Sequence, residues 1–143
     1  MNRDDIELLR RIQKNTAMAM KTIDLVETKI REDRLSDEMM EHNAGFFRIH
    51  EAAGERLRKG KSQVFKTNPV DELLLAGSLY GGTIINTSAS RIAELMIKES
   101  NREITQLHKA LNHYAGADET TVEMARELVD FEERCVERYR KYL

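Results

Sequence analysis

Proline is almost missing from this chain, with one in 143 residues, and so are cysteine, with one, and tryptophan, with none. Each scarcity excludes something. A single thiol, Cys135, cannot close an internal disulfide, so the fold must rest on a packed core, and a buried thiol in a reducing compartment is the expectation. With one proline and seven glycines gathered at a few joints, long helices meet few interruptions. Strand patterning is lacking too: β-branched residues never alternate with polar ones over a strand's length. Nor is there an excess of either charge. The 23 basic residues nearly cancel the 25 acidic ones, which leaves nothing to steer the chain towards nucleic acid or an anionic membrane. The opening Met-Asn-Arg-Asp-Asp is charged and leads straight into a helical pattern, so no signal peptide is expected and the cytoplasm is the expected compartment.

What is abundant is Leu, Met, Ala, Glu, Lys and Arg, in a chain that is 41% hydrophobic and 34% charged. That composition suits one globular domain over 1–143, large enough to bury a core. The class predicted is all-α, an antiparallel four-helix bundle. Helix one is expected from about Asp4 to Glu32, with a seam of Leu9, Ile12, Thr16, Ala19, Ile23, Val26 and Ile30 at steps of three and four. Ser36 is the expected cap of helix two, whose seam is Met39, His42, Phe46, Ile49, Ala53 and Leu57. Arg56, Arg58 and Lys59 before Gly60 read as its basic last turn and stop. Asn68-Pro69 followed by Asp71 and Glu72 signals a further start, and the helical pattern then runs to about His113. That is too long for one straight partner, so a break at Gly81-Gly82 is expected, with a short helix over 70–80 and a main helix over 83–113. Helix four should start near Asp118, or at Thr120 with Glu123 as a capping box, and run almost to Leu143. Two short joints imply two antiparallel hairpins, one with two and three with four. How the hairpins connect, by a ferritin-like crossover or by simple up-down-up-down order, is left open, with the Gly81-Gly82 break favouring the crossover.

One stretch stands apart. From Leu73 to Ser90 the chain reads LLLAGSLYGGTIINTSAS, eighteen residues without a charge. Its glycines, hydroxyls and Asn86 make it poor at entering lipid, so burial within the bundle or against a second copy is expected instead of a membrane span. A homo-oligomer joined through this stretch follows. Thr83, Asn86 and Ser90 fall on the inner side of the predicted helix and, if buried, need partners, so they are the candidate ligand-binding residues.

Metal chemistry can be tested by spacing. A di-iron carboxylate bundle uses Glu-x-x-His pairs, which put carboxylate and imidazole on one face a turn apart. The residues three before His42, His50, His108 and His113 are Met39, Phe47, Thr105 and Ala110, so all four histidines fail. The nearest approach is Glu38 four before His42. His42 does lie on a core seam, and Glu27, Glu94 and Glu132 flank apolar seams. These four are the candidate metal ligands, for iron or manganese, although a core histidine and boundary carboxylates explain them as well. No phosphate loop, Cys-x-x-Cys pair or nucleophile elbow is present.

The run Ser90-Arg91-Ile92-Ala93-Glu94-Leu95-Met96-Ile97 with Ser100, then Leu128-Val129-Asp130-Phe131-Glu132 and the ending Glu137-Arg138 to Lys141-Tyr142-Leu143, resembles a group of small four-helix proteins of anaerobic Gram-positive bacteria, loosely described as ferritin-like. The resemblance covers mainly the second half and implies a bundle fold without an established activity. Relatives of that kind carry His where this chain has Arg91, a departure that counts against a metal site. The expected role is thus a non-enzymatic bundle, structural or binding and without a cofactor, the alternative being a ferritin-like metal protein or oxidase with a non-standard site.

Overall fold

A computed structural model describes residues 1–66 and 88–143. Four α-helices make up nearly all of it: α1 (Arg3–Glu27), α2 (Asp33–Lys59), α3 (Ala89–His113) and α4 (Glu119–Tyr139), with a closing 3₁₀ turn at Arg140–Tyr142. They pack as a bundle, α1 chiefly on α2 and α3 chiefly on α4. The two expected hairpins are therefore both formed. No described helix is long and apolar enough to cross a membrane.

The helix ends are set by local hydrogen bonding. Asn2 and Asp5 form a reciprocal capping box, each side chain accepting from the other's backbone N–H. Helix α1 stops at Glu27, five residues before the predicted end, and Glu32 rather than Ser36 caps α2 by accepting from the backbone of Arg34 and Leu35. A glutamate reaches back far enough to do the work expected of a serine. Gly60 ends α2 as predicted. Helix α3 begins at Ala89, not near 83, because Ser88 is extended and its hydroxyl accepts from Arg91 N–H. Asp118, not Thr120, caps α4: its carboxylate accepts from Thr121 N–H, and that bond draws its pKa down. The Gly81-Gly82 break and most of the uncharged stretch lie outside the described residues.

Helix directions follow from what meets at each end. The first turn of α1 touches the α3–α4 joint, where Asp4 accepts from Gly116 N–H, Asp5 from Asp118 N–H, and Asn2 donates to Gly116 O. Arg56, near the end of α2, pairs with Asp118 at the start of α4, 3.3 Å away. At the opposite end Glu38 of α2 binds Arg138 of α4 at 2.8 Å. Helices α2 and α3 therefore run parallel, and the order is up-down-down-up. The end of α2 and the start of α3 lie at opposite ends of the bundle, so simple up-down-up-down order is excluded. The chain sets out on the crossing along α1, with Gln63 O accepting from Arg10 and Phe65 N–H donating to Gln13.

The core follows the predicted seams on α1, with Leu9, Ile12, Ile23 and Val26, and on α2, with Met39, Phe46, Ala53 and Leu57; α3 adds Ala93 and Leu107, and α4 adds Ala125, Leu128, Cys135 and Tyr139. Helices α1 and α4 also touch each other, whereas α2 and α3 make no comparable contact, so the cross-section is a rhombus with α1 and α4 on its short diagonal. That geometry puts residues between α1 and α4 deepest.

Candidate functional site

The candidate residues are scattered by the fold. Thr83 and Asn86 lie outside the described residues. Ser90 is exposed in the first turn of α3, so the expectation that it is buried is overturned: with the helix starting at Ala89, its hydroxyl sits on the rim rather than in the interior. Glu94 is exposed as well and pairs with Arg91 at 3.1 Å. Glu27 is half-buried in the last turn of α1. His42 and Glu132 do point inward, but into different surroundings. Among the described residues no group of three or more His, Cys, Asp or Glu is arranged to hold a metal ion.

Glu132 lies 1% exposed against α1. Burial pushes its carboxyl up to about 8, against the pull of its hydrogen bond from Asn15, so it is neutral at pH 7. Asn15, itself fully buried, donates from Nδ2 to Glu132 at 3.4 Å and to Glu103 of α3 at 3.2 Å. Burial raises Glu103 too, partly offset by Arg11, 3.6 Å away, and by Arg102. Glu99, Ser100, Glu103, Glu132 and Cys135 border one small cavity of about 20 Å³, which Phe46 of α2 and Thr22 of α1 also line. That volume admits one water molecule and no substrate. The arrangement stores a proton on Glu132 and ties three helices together. Glu103 and Glu132 share the Asn15 amide, and Arg11 and Arg102 lie beside Glu103.

His42 is 4% exposed on α2, its ring set edge-on against Tyr139 at 4.8 Å and Phe131 at 6.4 Å. Its Nε2 lies 3.5 Å from Glu38 without the alignment of a hydrogen bond, and neither ring nitrogen has a hydrogen-bond partner among the described residues. Burial drives its pKa down to about 4, opposed by Glu38 and aided by Arg138. A neutral imidazole with both nitrogens idle is an open donor and an open acceptor. Cys135 borders both the Glu132 cavity and the hollow beside His42, and burial pushes its thiol up to about 12, which makes it a wall and not a nucleophile.

The surface hollows of ligand size on the α2–α4 face, of about 390 and 330 Å³, share Arg48, Phe131 and Arg134. Sequence reasoning picked out Glu132 and His42 but missed Glu103, Asn15, Arg48 and Arg134 around them. Glu103 had a signal: Met96, Ser100, Glu103, Leu107 and Ala110 step by four and three, which puts a glutamate on the inward ladder of α3. Asn15, Arg48 and Arg134 had none, since each matters only through residues on another helix.

Fold and interior together define an all-α four-helix bundle with a charge-compensated polar layer at its centre. Comparison with protein families, with curated proteins and with solved structures finds no match to this chain.

Proposed function

We propose that this protein is a non-enzymatic bundle with a binding role, ferritin-like in its connectivity and assembled as a homo-oligomer. The observation that carries the reading is the state of the central carboxylates. Glu103 and Glu132 face Asn15, Arg11 and Arg102, and the cavity they border has room for one water. A catalytic centre needs room for a substrate and groups poised to exchange protons with it. Here Glu132 is buried beside a cavity too small for a substrate, while two roomier hollows on the α2–α4 face are lined by arginine and phenylalanine, which recognise rather than react.

The competing reading, a ferritin-like metal protein or oxidase, draws on Glu99, Glu103 and Glu132 sharing one cavity and on the up-down-down-up order. Metal analysis of the purified protein separates the two. The binding reading expects no stoichiometric iron or manganese. Retention of one or two ions per chain, lost in Glu132→Ala, would overturn it. The oligomer proposal rests on the uncharged residues 73–90 and is tested by light scattering, where a single-chain mass would defeat it.

A further inference from the structure

The α2–α4 face carries a trough whose shape comes from small residues. Ala44, Gly45 and Ala52 follow one another along the side of α2 that faces α4. Gly45 matters most, since any side chain there would overlap the Phe131 ring lying against it. With nothing larger in the way, Phe131 rests against the α2 backbone, and its ring forms a half-buried floor shared by both hollows. Phe46 meets that ring edge-on at 4.9 Å and holds it in place.

The two ends of the trough differ in chemistry. One end is lined by Arg48, Arg134 and Arg138, with Glu41 the carboxylate on its rim and His42 on its inner wall. Arg138 is committed to Glu38. Arg48 and Arg134 have no hydrogen-bond or ion-pair partner among the described residues, and both are exposed. Two unengaged guanidiniums flanking one aromatic ring form an arrangement that the fold itself does not use. The other end shares Arg48, Phe131 and Arg134 and adds Ile49, Ala52 and Met124, with Glu127 at its edge.

We propose that this trough binds a small organic oxyanion with an aromatic body, the carboxylate or phosphate group meeting Arg48 and Arg134 and the ring lying on Phe131. The proposal deepens the reading of the protein as a binding bundle and rests on it. Arginine is suited to the task because its planar fork matches carboxylate and phosphate oxygens two at a time. The aromatic body is chosen because Phe131 offers a ring face with an apolar margin, and the volume matches a small ligand.

Phenyl phosphate is a suitable probe, with inorganic phosphate, benzoate and phenyltrimethylammonium beside it. In ¹H–¹⁵N spectra of the whole protein, phenyl phosphate should saturably shift amides around Gly45 and Phe131. Benzoate should shift the same signals more weakly. The double variant Arg48→Gln, Arg134→Gln should weaken binding about tenfold or more. Its melting without ligand should match wild type, because neither guanidinium contributes a bond to the fold. Unchanged affinity in that variant overturns the proposal. So do equal shifts from the ammonium compound, or inorganic phosphate binding as tightly as phenyl phosphate. Self-association that disappears in the double variant would mean a second copy fills the trough, and overturns it as well. Phenyl phosphate binding elsewhere on the bundle would sink the trough and leave the binding role intact, whereas stoichiometric metal would sink the binding role itself.

Discussion

His42 and Glu132 are buried almost equally, both beside Cys135, yet they are neutralised in opposite directions. The imidazole near the α2–α4 face has lost its proton, with a pKa of about 4, and the carboxyl between α1 and α3 keeps its proton up to about pH 8. Desolvation is the first cause for both, and it always favours the uncharged form. The difference lies in the neighbours. Glu132 shares Asn15 with a second carboxyl, Glu103, and the pair gains from holding a proton. His42 faces aromatic rings, and its one carboxylate neighbour, Glu38, already belongs to Arg138.

Opposite neutralisation gives opposite pH dependence. His42, with its pKa depressed in the fold, contributes stability that is present above about pH 6.5 and is lost as pH falls through about 4. Glu132, with its pKa raised, contributes stability present below about pH 4.5 and lost as pH rises through about 8. The two limbs should meet in a plateau on the mildly acidic side of neutrality.

Breaking one limb at a time sharpens the contrast. The largest effect is expected for Glu132→Gln, which removes the titration while keeping a polar group towards Asn15. Its unfolding free energy relative to wild type should grow by about 3–5 kcal/mol between pH 5 and 9. A difference that stays constant with pH, in denaturant titrations, would mean that Glu132 is already ionised. Next comes His42→Phe, which keeps a ring but abolishes the acid limb. It should gain about 2–3 kcal/mol on wild type between pH 6.5 and 4, and a ring signal assigned to His42 that titrates near 6.5 in wild type would refute it. Gly45→Ala pushes the Phe131 ring out of its seat and should cost about 1–2 kcal/mol at every pH, the clash outweighing the better helix propensity of alanine. The smallest effect is expected for Asn2→Ala, which unmakes the capping box of α1 and its bond to Gly116 at a loss of about 1 kcal/mol. Acting away from both buried groups, it should lower the whole pH profile evenly. A change in the shape of that profile would show that the bundle end and the centre are coupled.

Much of the bundle was legible in periodicity. The α2 seam from Met39 to Leu57 is buried as read, because a helix in a bundle hides one stripe and the sequence displays that stripe at its own period. Caps were less legible. Glu32 and Asp118 displaced Ser36 and Thr120 because several polar residues near each joint can reach a free N–H, and only the path of the joint selects one. The site was least legible. His42 stood out as an imidazole on an apolar seam, but Glu94, by pattern an equal candidate, turned to solvent with Arg91.

By itself, then, the sequence determined the helical class, the two hairpins, the seams and the stop at Gly60, all of which depend on residues within a turn or two of one another. Tertiary structure alone decided that α2 and α3 run parallel, that Asn15 joins Glu103 to Glu132, and that Arg48 and Arg134 flank one trough. The reason is physical. Local patterns set which face of a helix is buried, but the charge state of a buried group and the partners of an arginine depend on what other helices bring to it. The connection through residues 60–88 sets which helices those are, and its length reveals that it can cross the bundle without revealing that it does.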